Sequence, residues 1–230
     1  MVQKNFLLVG GNSGIGAAIG ELLVSQGHEV WTASRTNRAS SDRHIPVDVT
    51  REELPTNSLP AQVHGFVYCP GAINLKPFHR LTDEEFRAEF ELQVLGAVRC
   101  LRAVLPLLRA AGNSSIVMFS TVAVQQGMPF HASVAMAKGA VEGLVRSLAA
   151  EFAPHIRVNA IAPSLTDTPL ASKFLSSEEK RKASGDRHPL RRVGEPQEIG
   201  RAAVHLLLDA TWTTGQVLAI DGGLSSIRIS

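Results

Sequence analysis

The feature that most constrains this chain is a glycine-rich turn that joins an apolar run of strand length to a helical pattern. The sequence reads FLLV at positions 6–9 and GGNSGIG at positions 10–16, after which apolar residues recur at helical spacing. A strand that enters a helix in this way directs backbone N–H groups and the positive end of the helix dipole towards an anion. The stretch is therefore a candidate diphosphate site. The alternative is a turn that only connects two elements.

The glycines of this turn have distinct physical uses. Gly10 lets the chain turn sharply, Gly14 lets the backbone approach a ligand, and Gly16 lets the helix pack closely on the strand. We expect the diphosphate to be bound by Gly10, Asn12, Ser13, Gly14, Ile15 and Gly16.

Bulk composition argues against several classes of function. The 230 residues suffice for one α/β domain with a large core, and a net charge of +2 gives no electrostatic reason to expect nucleic acid or an acidic membrane as partner. Cys69 and Cys100 are too few for a disulfide framework and fit a reducing compartment. No signal-peptide pattern or bilayer-spanning apolar run is present. We expect a cytoplasmic protein with one domain over residues 1–230 and no metal ion.

The end of the second predicted strand indicates which dinucleotide is bound. Residues 29–34 read EVWTAS and are followed at once by Arg35. A dinucleotide places its adenosine ribose at this tip, where a carboxylate would bind the ribose hydroxyls and an arginine would pair with a 2′-phosphate. Positions 31–41 contain no Asp or Glu but do contain Arg35 and Arg38. Ser34 and Arg35 are therefore the predicted 2′-phosphate ligands and NADP(H) the predicted cofactor; the alternative is that Arg35 is an ordinary surface arginine.

The rest of the chain alternates between strand and helix patterns. A capping box at positions 82–85 starts a long helix that extends to position 110, whereas Pro55 and Pro60 restrict the crossover at 50–62 to a short or frayed helix. Further strands are predicted at 45–47, 63–68, 115–120, 156–161 and 216–220, and further helices at 132–152 and 196–208. This alternation predicts an α/β fold with a doubly wound parallel sheet, whose ligand crevice lies at the carboxyl ends of the strands.

Together these segments resemble the short-chain dehydrogenase/reductase family from end to end. The likeness rests on the glycine turn, on Asp48 and Val49 after the third strand, on Lys138, on the VNAIAP run at 158–163 with Thr168, and on the DGG run at 221–223. The RVGEP run at 192–196 resembles the family's segment before its last helix. The resemblance implies a single Rossmann-fold domain with a substrate loop at residues 165–187.

In this family a Tyr, a Lys, a Ser and an Asn carry out the chemistry, in which a nicotinamide gives or takes a hydride. The resemblance places Lys138 at the lysine position, Thr121 at the serine position, Gln93 at the asparagine position and Val134 at the tyrosine position. Thr121 keeps a hydroxyl for the substrate oxygen, and Gln93 keeps an amide on a longer arm. Val134 has no proton to give, and general acid help is worth roughly 10²–10⁴-fold. The chain thus resembles an atypical member that lacks the active-site tyrosine.

Two residues are candidates to replace the missing phenol. Tyr68, the chain's one tyrosine, matches the first Asn of the family's Asn-Asn-Ala-Gly loop and is expected to be a packed residue. His131 precedes Val134 by three residues and Lys138 by seven, so a continuous helix would place all three on one face. A histidine can move protons near neutral pH. We expect His131 or a bound water to supply the proton; the alternative is that His131 only bonds to backbone at the helix start.

The resemblance also implies the remaining contacts of the cofactor, from residues at the ends of several strands. They are Asp48 and Val49 at the adenine, Pro70 and Gly71 in the wall beside the cofactor, Lys138 at the nicotinamide ribose, and Pro163, Thr166 and Thr168 near the carboxamide and diphosphate.

Two functions are compatible with these features. The first is an NADP(H)-dependent oxidoreductase that acts on the carbonyl or alcohol of a small molecule. The second is a catalytically weak or inactive NADPH-binding sensor or structural partner subunit, because the cofactor features are present while the tyrosine is missing. The polar substrate loop does not identify a ligand.

Apolar faces predict that the chain associates with itself. The long helix at 83–110 is apolar on more than one face, and the helix at 132–152 is rich in small residues that let helices approach closely. Ile227 and Ile229 in the C-terminal tail have little chain left to cover them. We expect a homodimer or homotetramer; the alternative is a helix that is fully covered within a monomer.

Overall fold

The computed structural model describes residues 2–37 and 42–228. It contains the strands predicted from the sequence and the predicted helices, except the short crossover helix expected at 50–62. Arg38 of the expected basic pair and Ile229 of the apolar tail lie outside the described residues. The strands are β1 (Asn5–Val9), β2 (Glu29–Ser34), β3 (His44–Pro46), β4 (Gly65–Tyr68), β5 (Ser114–Phe119), β6 (Ile156–Pro163) and β7 (Val217–Ile220). The helices are α1 (Gly14–Ser25), α2 (Asp83–Phe90), α3 (Gly96–Ala110), α4 (Ala123–Gln126), α5 (Ala132–Phe152), α6 (Glu178–Asp186) and α7 (Pro196–Leu208).

The strands form one seven-stranded sheet in the order β3-β2-β1-β4-β5-β6-β7. Every pair of neighbouring strands is parallel. The chain moves outward from β1 to β3 and then returns to continue from β4 on the other side. This order confirms the expected doubly wound α/β fold, and it places the ligand crevice where the direction reverses, next to β1 and β4.

Alternate residues of the strands point into two separate apolar layers, one on each face of the sheet. In β1, Leu7 and Val9 pack in the layer beneath α3 and α5, whereas Phe6 and Leu8 pack in the layer beneath α1 and α7. All four side chains are almost fully buried. Successive side chains of a strand point to opposite faces, so a buried strand covered on both faces must be apolar throughout.

The crossover between β3 and β4 differs from the expectation in one respect. A short or frayed helix was expected at 50–62, but these residues form only turns and irregular chain. Leu54 and Val63 anchor the segment in the core. Pro55 and Pro60 explain the absence of a helix, since each removes an N–H donor and disfavours helical backbone before it.

The long helix expected at 83–110 is interrupted at its centre. It begins at the predicted capping box, in which Thr82 and Glu85 each bond to the other's backbone N–H. A π-helical segment at Glu91–Leu95 then separates α2 from α3. Such segments insert one extra residue per turn and are frequent at functional sites. The segment carries Gln93, one of the predicted site residues.

Within the two described ranges, no helix is long and apolar enough to cross a lipid bilayer.

Candidate functional site

A cleft with a volume of about 630 Å³ opens at the carboxyl edge of the sheet. Its walls come from the loops after β4 and β5, from α5, and from residues 163–187 that follow β6. Many residues singled out from the sequence line it: Ile15, Gly71, Gln93, Thr121, His131, Val134, Lys138, Pro163, Thr166 and Thr168. Parallel topology brings these distant positions together, because the carboxyl ends of all strands meet at one edge.

The glycine turn lies beside this cleft and is closely approached by the chain after β6. Gly14 has a φ of +52°, and a Cβ atom on it would lie 3.2 Å from the Cβ of Thr168. A Cβ on Gly16 would lie 2.5 Å from the carbonyl oxygen of Gly10. Ser13 caps α1 without a side-chain hydrogen bond, and the first turn of the helix contains no acidic residue. The N-terminal N–H groups of α1 are therefore free of side-chain caps, as a diphosphate site requires.

A small hydrogen-bond network organises the tip of β2. Asn12 Nδ2 donates to Ser34 Oγ at 2.7 Å and also to the carbonyl oxygen of Thr36. Ser34 Oγ donates to the same carbonyl at 3.0 Å. Arg35 is exposed next to this network. The structure thus links Asn12 of the glycine turn directly to Ser34, one of the two residues predicted to bind a 2′-phosphate.

Asp48 and Val49 follow β3 and are both held in place. Asp48 Oδ1 accepts hydrogen bonds from the hydroxyl of Thr50 at 2.7 Å and from its N–H at 3.0 Å. The Thr50 hydroxyl, more than the nearby charge of Arg35, lowers the pKa of Asp48 below its ordinary value. The carbonyl oxygen of Val49 accepts from both Nε and Nη2 of Arg99. The turn that would meet an adenine ring is therefore rigidly positioned.

Lys138 is a buried cation at the inner wall of the cleft. Burial is the largest influence on it and lowers its pKa to about 8, while the negative charge of Glu89 acts in the opposite direction. Burial in turn raises the pKa of Glu89, partly offset by its hydrogen bond from Gln93 and by Lys138. Two groups of opposite charge that are both removed from water compensate each other in part.

Gln93 connects this buried pair to the cleft. Its Nε2 donates to Glu89 Oε2, while its buried Oε1 has no hydrogen-bond partner among the described residues. A Cβ placed on Gly71 would lie 3.7 Å from Gln93 Oε1 and 3.8 Å from Lys138 Nζ. Because Gly71 has no side chain, a small polar space borders an unused acceptor and an ammonium group. The longer side chain of glutamine can therefore take part in a polar network beside the cleft.

His131 lies directly before α5 and lines the cleft together with Val134 and Lys138. Its carbonyl oxygen accepts from Ala135 N–H at 2.7 Å, so helical hydrogen bonding already begins at His131. Its Nδ1 lies 2.7 Å from the carbonyl oxygen of Pro129. A carbonyl can only accept, so Nδ1 carries a proton and Nε2 is the nitrogen open to a ligand. From the sequence, a bond to backbone and a role in the cleft are alternatives for His131. The structure shows that His131 both bonds to backbone and lines the cleft.

Thr121 and Tyr68 end in contrasting environments. Thr121 lines the cleft, and its Oγ1 accepts from Ala123 N–H at 3.3 Å, so its own hydroxyl proton remains available. Tyr68 is buried, and its hydroxyl donates to the carbonyl oxygen of Leu92 at 2.5 Å. Burial raises the pKa of Tyr68 far above its ordinary value. The expectation that Tyr68 is a packed residue is confirmed, and its phenol does not line the cleft.

Other residues of the site carry no sequence signal that singled them out. Ser164 Oγ lies 2.8 Å from Nε2 of the buried His188, whose Nδ1 contacts the carbonyl oxygen of Ser184 at 2.9 Å. This pair ties the end of the substrate loop to β6. The loop's basic residues were visible as a polar stretch, but its sequence does not show which of them face the cleft. Those that do are Lys173, Lys180 and Arg187.

Comparisons with known proteins agree with this architecture. The family model described as enoyl-(acyl carrier protein) reductase matches residues 9–225. A tropinone reductase homologue of Arabidopsis thaliana is 34% identical over 96% of this chain and 92% of its own length. The 2,5-dichloro-2,5-cyclohexadiene-1,4-diol dehydrogenase of Sphingobium indicum is 33% identical over 97% of this chain and 98% of its own.

A solved short-chain type dehydrogenase/reductase from Mycobacterium ulcerans superposes with a TM-score of 0.88 at 28% identity, covering 98% of this chain and 90% of that one. The sheet order, the glycine turn and these matches along nearly the whole sequence lead to one conclusion: the chain belongs to the short-chain dehydrogenase/reductase family of oxidoreductases.

Proposed function

We propose that this protein is an NADP(H)-dependent oxidoreductase that acts on the carbonyl or alcohol of a small molecule, with Val134 in place of the family's tyrosine. The observation that carries the proposal is the convergence, in one cleft beside the glycine turn, of Lys138, Thr121 and His131. The two curated relatives support the reaction class, since their names describe a reductase homologue and a diol dehydrogenase.

The residues present fit a dinucleotide in several independent ways. The Ser13 side chain does not cap the N-terminus of α1, and a Cβ atom on Gly14 would lie only 3.2 Å from the Cβ of Thr168. In the proposal, the diphosphate is held by the glycine turn and Thr168, the 2′-phosphate by Ser34 and Arg35, and the nicotinamide ribose by Lys138. Asp48, Val49, Pro70, Gly71, Pro163 and Thr166 complete the proposed walls around the cofactor. When bound, NADP(H) supplies or accepts the hydride.

The side chains of the cleft divide the remaining work. The Thr121 hydroxyl donates to the substrate oxygen, because its hydrogen bond from Ala123 N–H leaves its own proton available. The proton comes from His131 in its doubly protonated form: Nε2–H transfers its proton to the substrate oxygen, while Nδ1–H stays bonded to the carbonyl oxygen of Pro129 and the ring is left neutral. Lys138 holds a positive charge near the developing alkoxide, and Gln93 orients a water beside it. General acid catalysis of this kind contributes roughly 10²–10⁴-fold.

A second candidate function has its own observation. The isopropyl group of Val134 gives no proton, and the phenol of Tyr68 is bound to a backbone carbonyl outside the cleft. A protein with these features and an intact cofactor site could bind NADPH as a sensor or as a structural partner without turnover. Cysteines without disulfides are compatible with a cytoplasmic location for either function, and we propose that location.

Turnover with a panel of small ketones and aldehydes separates the two candidates. We expect NADPH-dependent reduction that falls at least about tenfold in His131→Ala, because the variant loses the proton donor. The rate, measured as kcat/KM, should also fall as the pH rises through about 8, where Lys138 loses its proton and its charge. His205→Ala is the matched control, since His205 lies on α7 beside Asp209 and outside the cleft. Tight NADPH binding with no reduction of any carbonyl would instead favour the second candidate.

The choice of cofactor generates its own prediction. NADPH should bind at least about tenfold more tightly than NADH, which corresponds to ~1.4 kcal/mol, because arginine pairs with a phosphate through two charge-assisted hydrogen bonds. Arg35→Ala should remove most of this preference in calorimetric titrations. Arg43→Ala is the control, because Arg43 pairs with Glu29 at the opposite end of β2. Equal affinities of the unmodified protein for the two cofactors would contradict the assignment of Arg35.

Restoring the phenol tests the role assigned to Val134. Val134→Tyr should raise the rate of ketone reduction at least about tenfold, because Lys138 lies one helical turn away and Thr121 lines the same cleft. Val134→Phe adds the same ring without a hydroxyl and should give no gain. The measurement is the steady-state rate with saturating NADPH. A rate that stays unchanged in Val134→Tyr, with NADPH still bound, would show that Val134 does not stand where the phenol acts.

Exposed apolar residues support the proposal of a homodimer or homotetramer. Leu218 and Ala219 on the edge strand β7 are exposed, as are Leu95 beside α3 and Met136 on α5. Light scattering at micromolar concentration should give at least twice the chain mass of 24.7 kDa. Leu218→Glu should reduce that mass, because a charge on an edge strand opposes pairing. A mass near one chain would show that these surfaces remain exposed in a monomer.

A further inference from the structure

The wall of the cleft that comes from the substrate loop is strongly positive. Lys173, Lys180 and Arg187 line the cleft and are exposed, whereas Lys138 lines its buried end. Among the described residues that line the cleft there is no Asp or Glu. A cleft with charges of one sign and apolar walls concentrates the electric field and attracts ions of the opposite sign.

The loop's basic residues fall into two groups according to their partners. Arg181 pairs with Asp167 at 2.8 Å and Lys182 pairs with Asp186 at 2.8 Å, and neither of these cations lines the cleft. The three cations that do line it form no salt bridge with any residue in ranges 2–37 and 42–228. Asp167 and Asp186 therefore neutralise the outer cations Arg181 and Lys182, whereas the three inner cations have no salt-bridge partner among the described residues.

Neutral groups hold two of these inner cations in position. Lys173 Nζ donates to the carbonyl oxygen of Ile73 at 3.0 Å, a contact that crosses the cleft from the substrate loop to the loop after β4. Lys180 Nζ donates to Ser176 Oγ at 3.0 Å. An ammonium group has three donors, so each lysine retains donors for a ligand. Arg187 offers a guanidinium fork that matches the two oxygens of a carboxylate or phosphate.

We propose that the substrate carries an oxyanion, a carboxylate or a phosphate, which Lys180 and Arg187 bind at the mouth of the cleft while the reacting carbonyl lies deeper, near Thr121. Lys173 contributes charge to the same mouth. This inference rests on the proposed oxidoreductase function, which it refines by naming the chemical class of the substrate. Apolar residues that line the same cleft, among them Leu75, Met128 and Phe174, would contact the body of such a molecule.

Three matched aldehydes test the proposal: 4-formylbenzoate, 4-formylphenyl phosphate and the uncharged methyl 4-formylbenzoate. With NADPH saturating, we expect kcat/KM for at least one of the two anions to exceed that of the ester by about tenfold or more. In the double variant Lys180→Gln/Arg187→Gln the ratio of kcat/KM for the anion to that for the ester should fall to near one. The two anions carry different oxyanions on the same 4-formylphenyl ring, the phosphate through an additional ester oxygen, so the ratio of their kcat/KM values shows which of the two substrates the mouth prefers.

Lys182→Gln is the matched control, because Lys182 lies on the same helix but pairs with Asp186. The control should retain the full preference for anions. Equal rates for anions and ester in the unmodified protein would overturn the proposal, as would an equal loss in Lys182→Gln. Weaker NADPH binding in the double variant would overturn it too, because it would assign these cations to the phosphates of the cofactor.

Calorimetry separates failure of this proposal from failure of the proposed function. If none of the aldehydes is reduced, each is titrated into the protein saturated with NADP⁺. Binding of an anion but not of the ester, lost in Lys180→Gln/Arg187→Gln, would support the oxyanion site even in a protein without turnover. Absence of anion binding in that experiment would overturn the site itself.

Discussion

The rest of the site depends on how one buried ammonium group, that of Lys138, is kept in the fold. Burial lowers its pKa from 10.5 to about 8, and each unit of such a shift corresponds to about 1.4 kcal/mol. Carrying the charge at neutral pH therefore costs the folded state on the order of 3 kcal/mol. Lys138 is a base whose pKa is lower in the folded protein than in the unfolded chain, so its charge reduces the free energy of unfolding. The cost is present below pH 8 and is relieved as the pH rises from about 8 towards the unfolded value.

Glu89 limits this cost from behind the cleft. Its charge raises the pKa of Lys138, and it fixes the side-chain amide of Gln93. The Oε1 atom of Gln93 then lies near Gly71 and Lys138 and has no hydrogen-bond partner among the described residues. A lone buried carboxylate would be expensive, and so would a lone buried ammonium, but together with an amide they form a network that can exchange a hydrogen bond with a ligand or water. The inner end of the cleft is thus polar without being open.

Sequence reasoning reached the fold and the general place of the site because both depend on local signals. The bounds of α5 and α7 match the prediction. The start of α7 can be identified from neighbouring residues alone, because Glu195 and Glu198 form a capping box. The parallel sheet then brings Gly14, Thr121 and Lys138 to one edge without further information. Cofactor contacts at Ser34 and Asp48 remain predictions.

Sequence reasoning did not predict the features that depend on contacts between residues far apart in the chain. The π-helical segment at Glu91–Leu95 coincides with a hydrogen bond from Tyr68, 24 positions away, and with the close approach of its hydroxyl to Gly96. No periodicity in the helix itself encodes that contact. Similarly, the loop's five basic residues look alike in the sequence. Their division into compensated and uncompensated cations emerges only from salt bridges to Asp167 and Asp186.

Both the valine at position 134 and the positive mouth of the cleft affect how a substrate could be positioned for reaction. If no phenol binds the carbonyl oxygen, contacts with another part of the substrate have to orient the carbonyl group. An anionic group held at the mouth by Lys180 and Arg187 would supply it, because binding energy from a remote, non-reacting group can be used to position the reacting one. In the proposed mechanism, the weaker proton donor His131 would then act on a carbonyl that is already aligned with Thr121. Under this proposal the loop would take over part of the positioning that the tyrosine provides in the family, and the buried charge of Lys138 would remain available for the developing alkoxide.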